Sequence, residues 1–465
     1  MSSCPTLVIA GTHSGAGKTS FALALTRALV RRGRKVQTFK VGPDFLDPTY
    51  LALASGRPCY NLDGWMAGRA HCRRLFTEAS ADADHALVEG AMGLFDGAET
   101  GGDAGSTAEI ARLLDAPVVL IANVHGMGRS FAALVKGYTT FEEGLRFAGV
   151  VANRCGSERH AGWLSDALRA AGLPPLLGAI PRGAFPELAS RHLGLVTADR
   201  RRLPDSLLDD LADALERCLP METLFPEPDP GERSEKERAI PAIGKQGSTQ
   251  SPIRLRVGVA RDAAFHFYYS DLLDALAAAG CEVLFFSPLV DRILPEGISG
   301  LYLGGGYPEL HAAELAANGE MLGAIRAFAA SGRPLYAECG GLMYLSWGIE
   351  ANGCFHPLVG LLPARTRMLA ARKALGYVEV ALTEDSLWGS RGDILRGHEF
   401  HYSELIDDPI SDPAWRKVYA LRRRRADRIE AEGYQNGAIL ASYVHLHHAS
   451  RPAAVARFLE RCGGG

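Results

Sequence analysis

The chain has 465 residues, 47% of them hydrophobic and 22% charged, with a formal net charge of −3. That length exceeds one ordinary core and favours two or more domains. The charge balance gives no electrostatic reason to expect nucleic acid or an anionic membrane as partner, and no apolar run has the length of a transmembrane helix.

The opening MSSCPTLVIAGTHSG reads without the basic leader and cleavage pattern of a signal peptide. Nine cysteines stand singly, at positions 4, 59, 72, 155, 218, 281, 339, 354 and 462. An odd count with no C-x-x-C pair argues against a disulfide framework and a zinc site, so a reducing, cytoplasmic setting is expected. In chain order, residues 7–10, 36–41, 86–89, 118–122 and 149–153 read as strands. Most are continuous apolar runs, as in a parallel sheet covered on both faces. After the first, Phe21, Leu25, Ala28 and Leu29 keep helical spacing and Gly33 marks the stop. Residues 226–252, rich in Pro, Ser, Gly and charge, read as a linker. The rhythm restarts at 256–260, 281–286, 301–303 and 334–338. The expectation is an α/β chain of two doubly wound domains, 1–225 and 253–465, each with its own site.

The segment Gly11-Thr12-His13-Ser14-Gly15-Ala16-Gly17-Lys18-Thr19 follows a strand and opens a helix. There, successive backbone N–H groups curl around phosphate oxygens, and the helix N-terminus adds positive potential. Lys18 reaches the outer phosphates and the Thr19 hydroxyl ligates magnesium. The first glycine sits one position early for G-x-x-x-x-G-K-[ST]. Asp44 and Asp47 lie just past the second strand and Glu89 ends the third, at the strand ends where open parallel sheets bind ligands. Asp47, before Pro48, reads equally as a turn former. Lys40 holds a phosphate or substrate oxygen, or snorkels to the surface.

In the second half, the strand ending Ala337-Glu338 runs into Cys339-Gly340-Gly341 and then a helical pattern. A nucleophile on such a turn projects above the sheet, and the helix N-terminus favours thiolate. His445, after the last strand-like run, is the candidate base. Oxyanion stabilisation is expected from the run Gly304-Gly305-Gly306, through Gly306, and from the amide of Gly340. His447 and His448 stand close enough in sequence to compete with His445.

GTHSGAGKTS resembles the modified P-loop of dethiobiotin synthetase and its relatives, and AECGGLMYL with SYVHLH resembles the class I glutamine amidotransferase domain. Their fusion in this order, over nearly the whole chain, resembles the cobyrinic acid a,c-diamide synthase family. GSTAEIARLLDAPVVLI, NRCGSERH, ALGYVEV and RGHEFHYSEL are similar to further signatures of that family. The resemblance implies glutamine hydrolysis at Cys339 through a thioester, with His445 assisting. Ammonia then attacks a carboxylate that ATP has phosphorylated, and two acetate side chains of a corrin-type ring are amidated. It also implies ATP and Mg2+ at Lys18, Thr19, Asp44 and Glu89, with Asn153 toward the base. His398 and His401 are implied near the glutaminase wall or a domain interface, or as structural residues. Glutaminases of this class often carry His-x-Glu; here the sequence is His445-Leu446-His447, so His445 is expected to act without that glutamate.

Glutamine and a tetrapyrrole carboxylate are the expected partners, and a homodimer the expected assembly. Relatives amidate sirohaem or nickel-sirohydrochlorin by the same chemistry, and motifs do not separate the rings. His125, after a strand where a ring could dock, departs from the corrinoid pattern. A P-loop nucleotide switch or partitioning protein is the alternative from another class, as is a tetrapyrrole carrier, but neither needs both sites.

Overall fold

The computed structural model describes residues 4–99, 101–186, 203–225, 255–424 and 428–464, and the statements below concern those residues. The expected linker at 226–252 lies outside them. The chain divides into two compact units, 1–250 and 251–465. No described helix is long and apolar enough to cross a membrane.

The first unit is built on seven strands: β1 (Thr6–Gly11), β2 (Val36–Val41), β3 (Tyr60–Leu62), β4 (His85–Glu89), β5 (Val118–Asn123), β6 (Phe147–Cys155) and β7 (Leu176–Pro181). They pair in the order β3-β2-β4-β1-β5-β6-β7, every pair parallel. The central strands are buried almost throughout, so apolar cover lies on both faces, as their continuous apolar runs require. The helix Lys18–Arg31 buries Phe21, Leu25, Ala28 and Leu29, and its outer face pairs Arg27 with Asp209 (2.7 Å) and Arg31 with Asp213 (2.6 Å). β1 lies between β4 and β5, so its phosphate-binding turn opens beside Glu89, the last residue of β4.

The second unit begins as expected and then departs. Strands β8 (Arg256–Ala260), β10 (Glu282–Phe286), β11 (Gly300–Leu303) and β13 (Leu335–Glu338) pair in parallel, with β22 (Ile439–Ser442) beside β13. Beyond β22 the sheet turns antiparallel through β21 (Ile429–Asn436), β20 (Arg416–Arg423), β17 (Ala374–Leu382), β18 (Ile394–His401) and β23 (His445–Leu446). Half of this ten-stranded sheet was not expected from sequence. β17 alternates buried and part-buried residues, the pattern of a strand covered unequally on its two faces. A short pair, β9 (Phe265–Phe267) with β12 (Gly305–Gly306), lies apart from it. β14 (Ser346–Ala351), β15 (Cys354–Pro357), β16 (Leu362–Met368) and β19 (Ser403–Leu405) form a four-stranded sheet.

Candidate active sites

In the first unit the turn after β1 has the backbone of a phosphate cradle. Gly15 and Gly17 hold φ of 83° and 107°, where a side chain is strained, and His13, Ser14 and Gly15 are exposed. Thr12 is anchored by its N–H to Ile121 O (3.0 Å). Lys18 folds back over Gly11, where a Cβ would stand 3.0 Å from Nζ, and donates to the carbonyls of His13 and Met92. Asn153 donates to Ala16 O (2.8 Å), and a Cβ on Gly17 would meet its amide. Asn153 thus braces the cradle from β6.

Behind the cradle lies a buried ionic cluster. Lys40 is 2% exposed, so the surface alternative is corrected: it pairs with Asp47 (2.7 Å) and with its register neighbour Glu89 (3.1 Å). Burial pushes its ammonium down, but Asp47, Glu89 and Asp44 outweigh burial and the net shift is upward. Thr19 donates to Glu89 Oε1 (2.7 Å). Asp44 Oδ1 accepts from the N–H groups of Leu46 and Asp47, so it also serves the turn, and burial with the Asp47 charge pushes it up to about 7. Asp47, expected either as an acid facing the phosphates or as a turn former, opens its helix and is an ion-pair partner of Lys40. Glu89 Oε2 is buried and accepts no hydrogen bond from a described residue. An orphaned oxygen on the carboxylate that Thr19 bonds, with Asp44 acting on the same Lys40, is a hard-oxygen donor set that fits Mg2+.

In the second unit Cys339 has φ 46° and ψ −100°, a strained conformation between β13 and the helix Gly340–Leu345. Its N–H donates to Ser442 O (2.8 Å), fixing the elbow against β22. A Cβ on Gly340 would lie 3.0 Å from Gly306 N, so these two residues do meet beside the thiol. The Gly304 N–H is engaged by the Tyr268 hydroxyl (2.8 Å). Burial, then the Glu309 charge, pushes the Cys339 thiol far up, against a lesser pull from the Gly340 N–H. The Gly340 N–H at the helix start thus pulls toward thiolate, as expected, while burial and the Glu309 charge pull the other way.

His445 is 1% exposed and lies against Gly305, where a Cβ would come within 2.4 Å of Cε1. Its ring stacks on His398, its register neighbour (centroids 5.0 Å), and Tyr269 bonds His398 Nδ1 (3.1 Å). Burial and the neighbouring His445 and His447 hold His398 well below the usual imidazole range. His401 stacks on Tyr443 (4.1 Å). His447 and His448 turn to Asp271, at 3.7 and 3.8 Å, which separates them from the role considered for His445. His125 is exposed on its loop.

Two family descriptions match the chain: a CobQ/CobB/MinD/ParA nucleotide binding domain over residues 7–196 and a CobB/CobQ-like glutamine amidotransferase domain over 256–453. A cobyrinate a,c-diamide synthase of Syntrophotalea carbinolica is 57% identical over 463 residues, 99% of each chain. The chain belongs to the cobyrinate a,c-diamide synthase family. Leptospira interrogans has a cobyrinate a,c-diamide synthase 42% identical over 98% of both chains. A hydrogenobyrinate a,c-diamide synthase of Stutzerimonas stutzeri is 43% identical over 98% of this chain and 99% of its own.

For this family member, sequence reasoning missed one neighbour of the base. Glu338 Oε2 stands 3.5 Å from His445 Nδ1, so the expectation of a base without a carboxylate is corrected. Glu338 is held by the hydroxyls of Tyr302 (2.8 Å) and Tyr336 (2.6 Å) and the N–H of Leu446 (3.1 Å). Alternation puts Glu338 on the same side of β13 as Tyr336, whose hydroxyl it accepts, and gives no signal of His445. What brings it to His445 is β23, which sequence did not place.

Proposed function

We propose that the chain is a glutamine- and ATP-dependent synthase that amidates the a and c acetate carboxylates of a cobyrinic or hydrogenobyrinic acid. The observation that carries the reading is that neighbouring Gly305 and Gly306 lie against His445 and against Gly340, the residue after the strained Cys339, while Glu338 stands beside His445, in a chain whose other unit bears a P-loop.

In the glutaminase unit His445 takes the thiol proton as sulfur attacks the amide carbon. Glu338 fixes the ring orientation and stabilises the imidazolium. The Gly306 and Gly340 N–H groups stabilise the oxyanion. His445 returns the proton to the leaving nitrogen, ammonia departs, and water cleaves the thioester to glutamate. In the nucleotide unit the backbone from Gly11 to Gly17, with Thr12 and Ser14, embraces the phosphates of ATP. Lys18 exchanges its bonds to His13 and Met92 for phosphate oxygens. Thr19, Asp44 and Glu89 are the residues that would hold Mg2+, whose chemistry is to neutralise phosphate charge when bound. Lys40 keeps the acidic cluster together. The ring carboxylate takes the γ-phosphoryl group, ammonia displaces phosphate, and the amide forms. Asn153 positions the cradle and faces the base side, and a homodimer in the cytoplasm is the assembly proposed.

The test offers cobyrinic acid, sirohaem and nickel-sirohydrochlorin separately with Mg-ATP and glutamine, following ring mass. Amidation of the corrinoid alone supports the reading; amidation of a sirohaem-type ring alone replaces the substrate. No amidation of any ring returns the chain to the nucleotide-switch alternative.

A further inference from the structure

Glu309 lies in the turn Pro308–His311, directly after the oxyanion strand β12 and Tyr307. Pro308 presses on the residue after the nucleophile: a Cβ on Gly340 would stand 2.9 Å from Pro308 Cδ. Glu309 therefore directly follows the residue that touches Gly340, and among charged neighbours it opposes ionisation of Cys339 most strongly. Glu309 is partly buried, and burial pushes its carboxyl up to about 7.

An acidic group there works against a thiolate nucleophile unless a cation neutralises it during turnover. Its carboxylate accepts from its own backbone N–H, and among the described residues no lysine or arginine pairs with it. The nearby His311 pairs with Glu314 instead (2.7 Å). The cation that enters with the substrate is the α-ammonium of glutamine, about 5 Å from the amide carbon along an extended side chain.

We propose that Glu309 recognises the α-ammonium of glutamine and so places the amide carbon over Cys339. The inference rests on the glutaminase reading above and deepens it. Arrival of glutamine offsets the Glu309 charge, which adds to burial in keeping the thiol protonated, and so ties activation of Cys339 to occupancy by an amino acid. The free carboxamide of a peptide side chain or a simple amide lacks that cation.

The experiment compares hydrolysis of glutamine with that of glutaramate, which has the same amide and no α-amino group. The full-length wild type should prefer glutamine by about 100-fold or more in kcat/KM, the scale of a desolvated charge-assisted bond. Glu309→Gln should reduce that preference to within about fivefold, mainly through a higher KM for glutamine, and Glu309→Asp should restore part of it. A preference unchanged in Glu309→Gln, or an equal fall for both amides, overturns the assignment while leaving the glutaminase intact. Failure of the wild type to hydrolyse either amide sinks the glutaminase reading itself, and this inference with it.

Discussion

At the scale of single residues, strain and function meet at Cys339. A positive φ at a residue with a side chain costs about 1–3 kcal/mol, which glycine avoids. Cys339→Gly should therefore unfold at higher denaturant than Cys339→Ala, by about 1 kcal/mol, and both should lose glutamine-driven amidation while responding to free ammonia. Equal stability of the two variants would show that the elbow relaxes without the side chain. The second prediction concerns Glu338. Replacing it by Gln keeps an acceptor for Tyr336 and the Leu446 N–H, turns an amide NH2 toward Tyr302, and removes the charge that faces His445. Glutaminase kcat should fall about 100-fold with little change in KM, because the lost interaction belongs to the transition state. A rise in KM at constant kcat would instead make Glu338 a substrate-binding group.

At the scale of elements, the glutaminase site depends on a strand pair that leaves no room for a side chain. A Cβ on Gly397 of β18 would stand 2.2 Å from the carbonyl oxygen of His445 in β23. Backbone there cannot retreat as a flexible side chain can. Gly397→Ala should displace His445, lower glutamine hydrolysis by at least about 100-fold and destabilise the chain by about 2 kcal/mol. An unimpaired glutaminase would contradict the placement of His445. In the same sheet, β21 carries a pH-sensitive contribution. Glu432 is buried, accepts from Ser442 and Tyr443, and is pushed up to about 7 by desolvation. Its folded pKa lies above the unfolded value near 4.5, so its contribution is fully present below about pH 4.5 and is lost as pH rises through about 7. Urea midpoints should fall between pH 5 and pH 8, and Glu432→Gln should flatten that fall.

These same elements separate what was legible from what was not. Largely apolar runs announced β1, β4, β5 and β6, a β-branched and aromatic run announced β2, and the glycines around Lys18 and Cys339 announced the two turns, because each feature is local. β3, with three residues, is too short to carry a period. The antiparallel half of the second sheet was missed because its pairing is set between residues distant in sequence, as with His398 and His445. Glu338 became a site residue only through that pairing. The Lys40–Asp47–Glu89 cluster was legible as three charges at strand ends, but not as one buried group, since burial depends on the cover above them.

At the scale of the whole molecule, the chain has two compact units with distinct chemistry, joined in one family and matched over 99% of its length by a relative named for a diamide synthase. Glutaminase and nucleotide chemistry should be separable by mutation. Glu89→Ala leaves Lys40 and Asp47 in the cluster but removes the orphaned oxygen beside Thr19. It should abolish ring amidation from either glutamine or ammonia, while mass spectrometry still detects the Cys339 thioester when glutamine is supplied. With both units at work, nitrogen released at Cys339 becomes the amide of the ring. The measurement that checks this supplies glutamine labelled with 15N in its side-chain amide, with Mg-ATP and cobyrinic acid, and reads the isotope in the ring product. A doubly amidated ring with both amides labelled is expected from the wild type, and an unlabelled diamide from Cys339→Ala given unlabelled ammonia. A ring that remains unamidated, or amides that arise from glutamine without Cys339, would contradict it.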